Sequence, residues 1–88
     1  MKVLFTKHAE NKFLVLRLHG VNISKVKVIS TISTPALVDH ASRYPLVVAQ
    51  GPLDKYRVLR VIYKRRGDNF VVVTFYPGKK SQYEKGKN

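Results

Sequence analysis

Arg60, Tyr76 and His8 are the side chains of this 88-residue chain whose types and settings point most directly to chemistry. Arg60 stands inside the apolar run Val58-Leu59-Arg60-Val61-Ile62. A lone cation in such a run needs a partner or a ligand; the competing reading is an edge arginine lying over Tyr76. Tyr76 ends the run from Phe70 and either donates to a phosphate or only closes the core. His8 falls in the first turn of the first expected helix, and histidine is the residue type that changes charge near neutral pH. It either moves protons or faces water at a sheet edge. Lys12, one helical turn further along the same face, adds a cation there or is simply solvated. His19, beside Gly20, reads as a cation at a helix C-terminus, and His40 gives no pointer.

These residue types suit phosphodiester chemistry without a metal. RNA carries its own nucleophile in the 2′-hydroxyl; cleavage needs a base for that proton, cations around the developing phosphorane, and an acid for the 5′-oxygen. Lys, Arg, Tyr and His supply all three roles. Other chemistries fail on residue supply. The five acids (Glu10, Asp39, Asp54, Asp68, Glu84) are scattered and offer no carboxylate pair for glycoside or two-metal work. Cysteine is absent, which removes disulfides, thiolate nucleophiles and thiolate metal sites. The three histidines lack ligand spacing, the five glycines are too dispersed for a phosphate-cradling loop, and no G-x-S-x-G elbow occurs. Neither a metal nor a small-molecule cofactor is expected.

Charge indicates the partner. Seventeen Lys and Arg against five acids give a net charge of +12, a self-repulsion usually tolerated because the partner is a polyanion, most commonly nucleic acid. Basic residues cluster at Arg57, Arg60, Lys64, Arg65 and Arg66, and again at Lys79, Lys80, Lys85 and Lys87, with Tyr56, Tyr63, Tyr76 and Tyr83 interleaved. Tyrosines stack on unpaired bases while cations follow phosphate. Lys12, Arg57, Lys79, Lys80 and Tyr83 are accordingly the RNA-binding candidates. Ordinary solvated strand edges and a solubilising tail are the plain alternative. No apolar run exceeds four residues, and Thr6-Lys7-His8 interrupts the opening segment too soon for a signal-peptide core, so a soluble cytoplasmic domain without membrane contact is expected.

The elements that must position these residues follow from pattern. Val3 to Phe5 makes a short opening strand. Thr6 caps a helix over Lys7 to His19, with Ala9, Phe13, Leu16 and Leu14, Leu18 at helical spacing and Gly20 as its left-handed stop. Asn22 caps a second helix, Val21 stapling onto Val26, with a stripe of Val26, Ile29 and Ile32 running to Pro35. Strands follow at Ala36 to Ala41, Leu46 to Gln50, Tyr56 to Arg65 and Phe70 to Tyr76, with a turn at Gly51-Pro52-Leu53-Asp54. The expected fold is α+β: two N-terminal helices on a twisted antiparallel sheet of about four strands, one domain over 1–77, and a basic tail over 78–88. A two-residue turn at Gly67-Asp68 sets Arg60 opposite Phe75; a three-residue loop sets it opposite Tyr76. The second register is preferred. It puts Leu59, Val61, Tyr63, Val71, Val73 and Phe75 on the covered face and leaves Arg60, Ile62, Val72, Thr74 and Tyr76 on the open one.

Taken in order, Phe5-Thr6-Lys7-His8-Ala9, His19-Gly20-Val21 with Val26, Leu59-Arg60-Val61-Ile62-Tyr63, Val71 to Pro77 and Lys79-Lys80-Ser81-Gln82-Tyr83 resemble small proteins related to the RelE/ParE toxin superfamily. The resemblance covers about residues 3 to 83. It implies a compact α+β fold and, for RelE-like members, metal-independent mRNA cleavage on the ribosome and a small antitoxin partner. By position, Arg60 matches the strand cation, Tyr76 the C-terminal aromatic, Lys80 and Tyr83 the basic tail, and His8 an early histidine of the related small proteins. ParE-like members share the fold and inhibit gyrase, so fold alone leaves activity open. The alternative function is a non-catalytic RNA- or DNA-binding module.

Overall fold

The computed structural model describes residues 2–83. Its elements run β1 (Val3–Phe5), α1 (Lys7–Leu18), α2 (Lys25–Ser33), β2 (Leu37–Asp39), β3 (Val47–Pro52), β4 (Arg57–Arg66), β5 (Asn69–Lys79) and α3 (Lys80–Tyr83). The fold is α+β, as expected, but the sheet is five-stranded and mixed, in the order β1-β5-β4-β3-β2. The opening strand joins β5 in parallel, pairing Val3 with Phe70 and Phe5 with Val72; every other pair is antiparallel. The segment from Gly78 onward, expected as a tail, instead continues β5 to Lys79 and turns into α3. Lys85 and Lys87 lie outside the described residues.

Helix α1 starts and stops where its sequence directs. The Thr6 hydroxyl accepts from the Ala9 amide (3.1 Å), and Gly20 takes a left-handed φ of 81°. The Val21 and Gly20 amides donate to the Leu16 and Arg17 carbonyls, the paired bonds of a Schellman stop. Ala9, Phe13 and Leu16 face the sheet, Phe13 lying 4.5 Å from Phe75 between ring centres. Leu14 and Leu18 do not; they are exposed.

Helix α2 begins two residues later than expected. Ser24, not Asn22, is its cap, accepting from the Lys27 amide (3.1 Å). The staple accordingly shifts to Ile23 and Val28, both buried in the core, while Val26 is 76% exposed and Ile29 is exposed. The helix presents Val28, Thr31 and Ile32 to the sheet.

The β4–β5 hairpin combines the two registers weighed from the sequence. Its turn is the two-residue one, Gly67-Asp68, with Gly67 at φ 61° as primed hairpin turns require. Arg66 pairs with Asn69 and Tyr63 with Val72. A β-bulge at Val73 then shifts the ladder by one, so that Ile62 pairs with Thr74 and Arg60 with Tyr76. The expected three-residue loop is therefore replaced by a tight turn plus a bulge. This also corrects the faces: Val72 and Phe75 enter the helix-side core, whereas Val71 lies on the other face, across from Lys64 and Leu4. The bulge is tied down by Thr6, whose hydroxyl donates to the Val73 carbonyl (3.1 Å) and whose amide donates to that of Val72 (3.0 Å).

Candidate functional site

Among the side-chain rows on the face of the sheet away from α1 and α2, three surround Arg60. They are Val48, Ile62 and Thr74; Gln50, Arg60 and Tyr76; and Pro52, Val58 and Gly78. This face is not bare, since Val48, Val58 and Ile62 are each 1% exposed. Arg60 is thus framed along its strand by two apolar side chains and is itself only 9% exposed.

The guanidinium is held on three sides. Nε donates to the Tyr76 hydroxyl (3.0 Å) and Nη1 to Oε1 of Gln50 (2.5 Å). The Tyr83 ring covers it, 4.2 Å from Cζ to the ring centre. Tyr83 can lie there because Gly78 has no side chain: a Cβ at that position would meet Tyr83 Cε2 at 2.4 Å. No carboxylate pairs with Arg60 among the described residues. Two of its five N–H groups are bonded, and no side-chain nitrogen or oxygen among those residues is both sealed from solvent and unpartnered. The remaining nitrogen, Nη2, has no hydrogen-bond partner among the described residues.

Electrostatics separate the two phenols. Burial acts to raise Tyr76, but the hydrogen bond and charge of Arg60, the adjacent Tyr83 hydroxyl and the charge of Arg43 outweigh it, holding Tyr76 below the usual tyrosine range. Tyr83 moves up, first by desolvation and then by its neighbour Tyr76. Arg43 rides on the loop between β2 and β3. That loop is anchored by Asp39, whose carboxylate accepts from the Ser42 hydroxyl and from the Ser42 and Ala41 amides and is held at about 2 by those bonds.

His8 sits at the margin of this group. From the first turn of α1 its Nε2 lies 3.2 Å from Oγ1 of Thr74, which shares a face with Tyr76 two residues further along β5. Two strand residues span about 6.6 Å. Lys12 is half-buried one turn beyond His8. His19, as expected, serves its helix end, with Nδ1 2.8 Å from the Val15 carbonyl.

The remaining candidates gather elsewhere. Arg57 pairs with Lys79 at the end of the sheet, and by strand alternation both belong to the face opposite Arg60. Arg57 is bound to Asp54 through Nε (2.8 Å) and Nη2 (2.7 Å). With Lys55, Tyr56, Lys80 and Ser81 these residues line a shallow pocket. The structure therefore brings together Arg60, Tyr76 and Tyr83, sets His8 beside them, and gathers Arg57, Lys79 and Lys80 at a second locus.

Two members of the site were missed from the sequence. Gln50 carried the same signal as Arg60, a polar residue at an inward position of an apolar strand, Val47-Val48-Ala49-Gln50. Arg43 carried none, because its approach depends on the path of a loop. Among the described residues no group of three or more His, Asp or Glu could hold a metal ion, and no helix is long and apolar enough to cross a membrane. Comparison of the chain with protein-family models, curated proteins and solved structures finds no match.

Proposed function

We propose that the protein is a RelE-like, metal-independent endoribonuclease that acts on mRNA in the cytoplasm and is held in check by a small antitoxin. The observation that carries this reading is the Arg60–Tyr76 pair: an arginine nine-tenths buried, with no carboxylate bonded to it among the described residues, donating to a phenol whose pKa it lowers. A buried cation with an open N–H edge is built to receive an anion, and charge developing on a phosphorane is the anion that RNA cleavage supplies. Tyr76 adds a proton-transfer group in contact with that cation, and His8 a second one a short step along β5.

In the proposed reaction the 2′-oxygen attacks phosphorus as the P–O5′ bond breaks. His8 accepts the 2′ proton, Arg60 neutralises the phosphorane oxygens, and Tyr76 gives its proton to the departing O5′. The products are a 2′,3′-cyclic phosphate and a 5′-hydroxyl. Arg60 acts on Tyr76 as well as on phosphate, because a phenol that accepts from a guanidinium releases its own proton more readily.

The test is mRNA on translating ribosomes, and the same RNA free, treated with purified protein in chelator. Cleavage with cyclic-phosphate ends, lost in Arg60→Ala and Tyr76→Phe, is the expected result. Intact RNA at protein excess refutes the reading. RNA binding with steep salt dependence and no turnover would leave the non-catalytic binding module in its place.

A further inference from the structure

Tyr56 is the most exposed aromatic beside a dense group of cations, and the site proposed above does not use it. Its ring is 72% exposed. Yet its backbone is fixed on both sides. The Tyr56 and Arg57 amides donate to Oδ1 of Asp54 (3.0 and 2.8 Å), and the Tyr56 carbonyl accepts from the Lys80 amide (2.9 Å). The backbone is thus fixed while the side chain stands in water, and these contacts give the ring no role in folding. Around it, Lys55 places Nζ 5.6 Å from the ring centre, and Lys79, Lys80 and Arg57 line the same shallow pocket. Only Arg57 among these cations is paired with an acid, Asp54, among the described residues.

We infer that Tyr56 is a stacking platform for an unpaired nucleobase, with Lys55, Lys79 and Lys80 holding the phosphates on either side, so that the ligand is single-stranded nucleic acid. An exposed aromatic face among unpaired cations is the combination that single-strand binders use: stacking tolerates any base, and cations follow the backbone. A duplex hides its base faces and cannot use the ring. The inference rests on the RNA reading above and extends it along the strand. Four residues of β4 separate Tyr56 from Arg60, about 13 Å at the rise of a strand. At the 3.4 Å per nucleotide of a stacked strand this is about four nucleotides, and fewer in a stretched one. Helix α3 joins the two loci, with Lys80 bonded to Tyr56 at its start and Tyr83 over Arg60 at its end. Because Arg57 and Lys79 belong to the face opposite Arg60, a strand with a base on Tyr56 and a phosphodiester at Arg60 passes around the end of the sheet at α3.

The experiment is fluorescence anisotropy with a labelled 2′-O-methyl oligoribonucleotide of about 12 nucleotides, single-stranded or in duplex. The 2′-O-methyl groups remove the nucleophile, so binding is read without cleavage. Tyr56→Ala is expected to weaken single-strand binding about 5- to 150-fold, Tyr56→Phe to bind as wild type, and neither to change duplex binding. Lys55→Ala is expected to lower the log–log salt slope by about 0.7. Wild-type affinity in Tyr56→Ala overturns the inference, as does an equal loss in Tyr56→Phe or a duplex bound as tightly as the single strand. Tyr56-dependent binding alongside uncleaved natural RNA overturns catalysis alone and leaves the platform standing. A wild-type protein that binds neither probe overturns the platform, whatever the cleavage assay on ribosomes shows.

Discussion

Replacing Arg60 by methionine separates a residue kept for a ligand from one kept for the fold. The side chain is 9% exposed and has no carboxylate in contact among the described residues, so folding strips a guanidinium of water with only the longer-range charge of Asp39 to offset it there. That desolvation is worth several kcal/mol per ion even after relaxation, roughly 3–6 kcal/mol. Against it stand two hydrogen bonds from a charged donor, to Tyr76 and Gln50, at about 1.5–3 kcal/mol each. The Tyr83 ring contributes about 1–2 kcal/mol more. The opposing sums are close, and Arg60→Met should therefore fall within about 2 kcal/mol of wild type. Most of any loss comes from Gln50, whose buried Oε1 loses its donor at about 1–3 kcal/mol.

Arg60→Met with Gln50→Leu removes that orphan and should stabilise the protein by about 1–3 kcal/mol, the outcome seen when buried charge networks are replaced by apolar side chains of similar volume. For a domain of this size each kcal/mol moves Tm by about 4–8 °C. Urea unfolding, with an unchanged m-value as the check on two-state behaviour, measures the difference. Cleavage should vanish in the same variant, and RNA binding should weaken by the loss of one phosphate contact. A double variant less stable than wild type by more than about 3 kcal/mol would refute the reasoning, because Arg60 would then be an anchor of the fold.

Three further outcomes follow from the same geometry. In a spectrophotometric titration Tyr76 should ionise below the usual tyrosine range, and Arg60→Met should delay it, since only the Tyr83 hydroxyl and the charge of Arg43 then oppose burial. Because the folded state releases that proton before the unfolded chain does, stability should rise with pH between the lowered Tyr76 value and the ordinary ~10; above that, Tyr83, shifted up, works in the opposite sense. Gly78→Ala should expel Tyr83 from Arg60, because its Cβ would stand 2.4 Å from the ring, and the Lys80 amide should then exchange with solvent faster by hydrogen exchange. Ser24→Ala should destabilise by about 1 kcal/mol in urea unfolding, whereas Asn22→Ala should fall within about 0.5 kcal/mol of wild type; the reverse order would restore Asn22 as the cap.

Much of the frame was legible because local chemistry decided it. Thr6 and Gly20 bound α1 through side-chain and backbone bonds within a few residues of each, and the apolar runs around Arg60 and Thr74 read as strands for the same reason. What the sequence left undecided depends on contacts between distant residues. The parallel addition of β1 requires Val3 to meet Phe70. The bulge at Val73 is held by the Thr6 hydroxyl, 67 residues away in the chain, and no pattern within the hairpin announces it. The polarity criterion still found the Arg60–Tyr76 pairing, since a buried cation and a phenol belong on one face however the ladder reaches that register. It failed at Val71 and Val72, both apolar, where polarity carries no information about side. Tyr83 was readable as an RNA-binding candidate but not as a partner of Arg60, which needs the notch at Gly78.

The shortage of acids shapes the site as much as the surplus of bases. Glu10 is bound to Lys25 (2.7 Å), Asp54 to Arg57 (2.7 Å), and Asp39 to the amides and hydroxyl of its own loop. Asp68 stands in the hairpin turn at the far end of β4 from Arg60. Asp39 feels the charge of Arg60 from a distance, but among the described residues no acid is in contact with it, and its hydrogen bonds go to neutral partners. Gln50 and Tyr76 accept its hydrogen bonds without cancelling its charge, and Tyr83 covers its face without contributing a formal negative charge. A carboxylate at position 50 would neutralise the guanidinium and end its attraction for phosphate, so Gln50→Glu should stabilise the fold while weakening RNA binding. Measured by urea unfolding and oligonucleotide anisotropy, a Gln50→Glu protein that still bound RNA at wild-type affinity would show that the anion is received elsewhere.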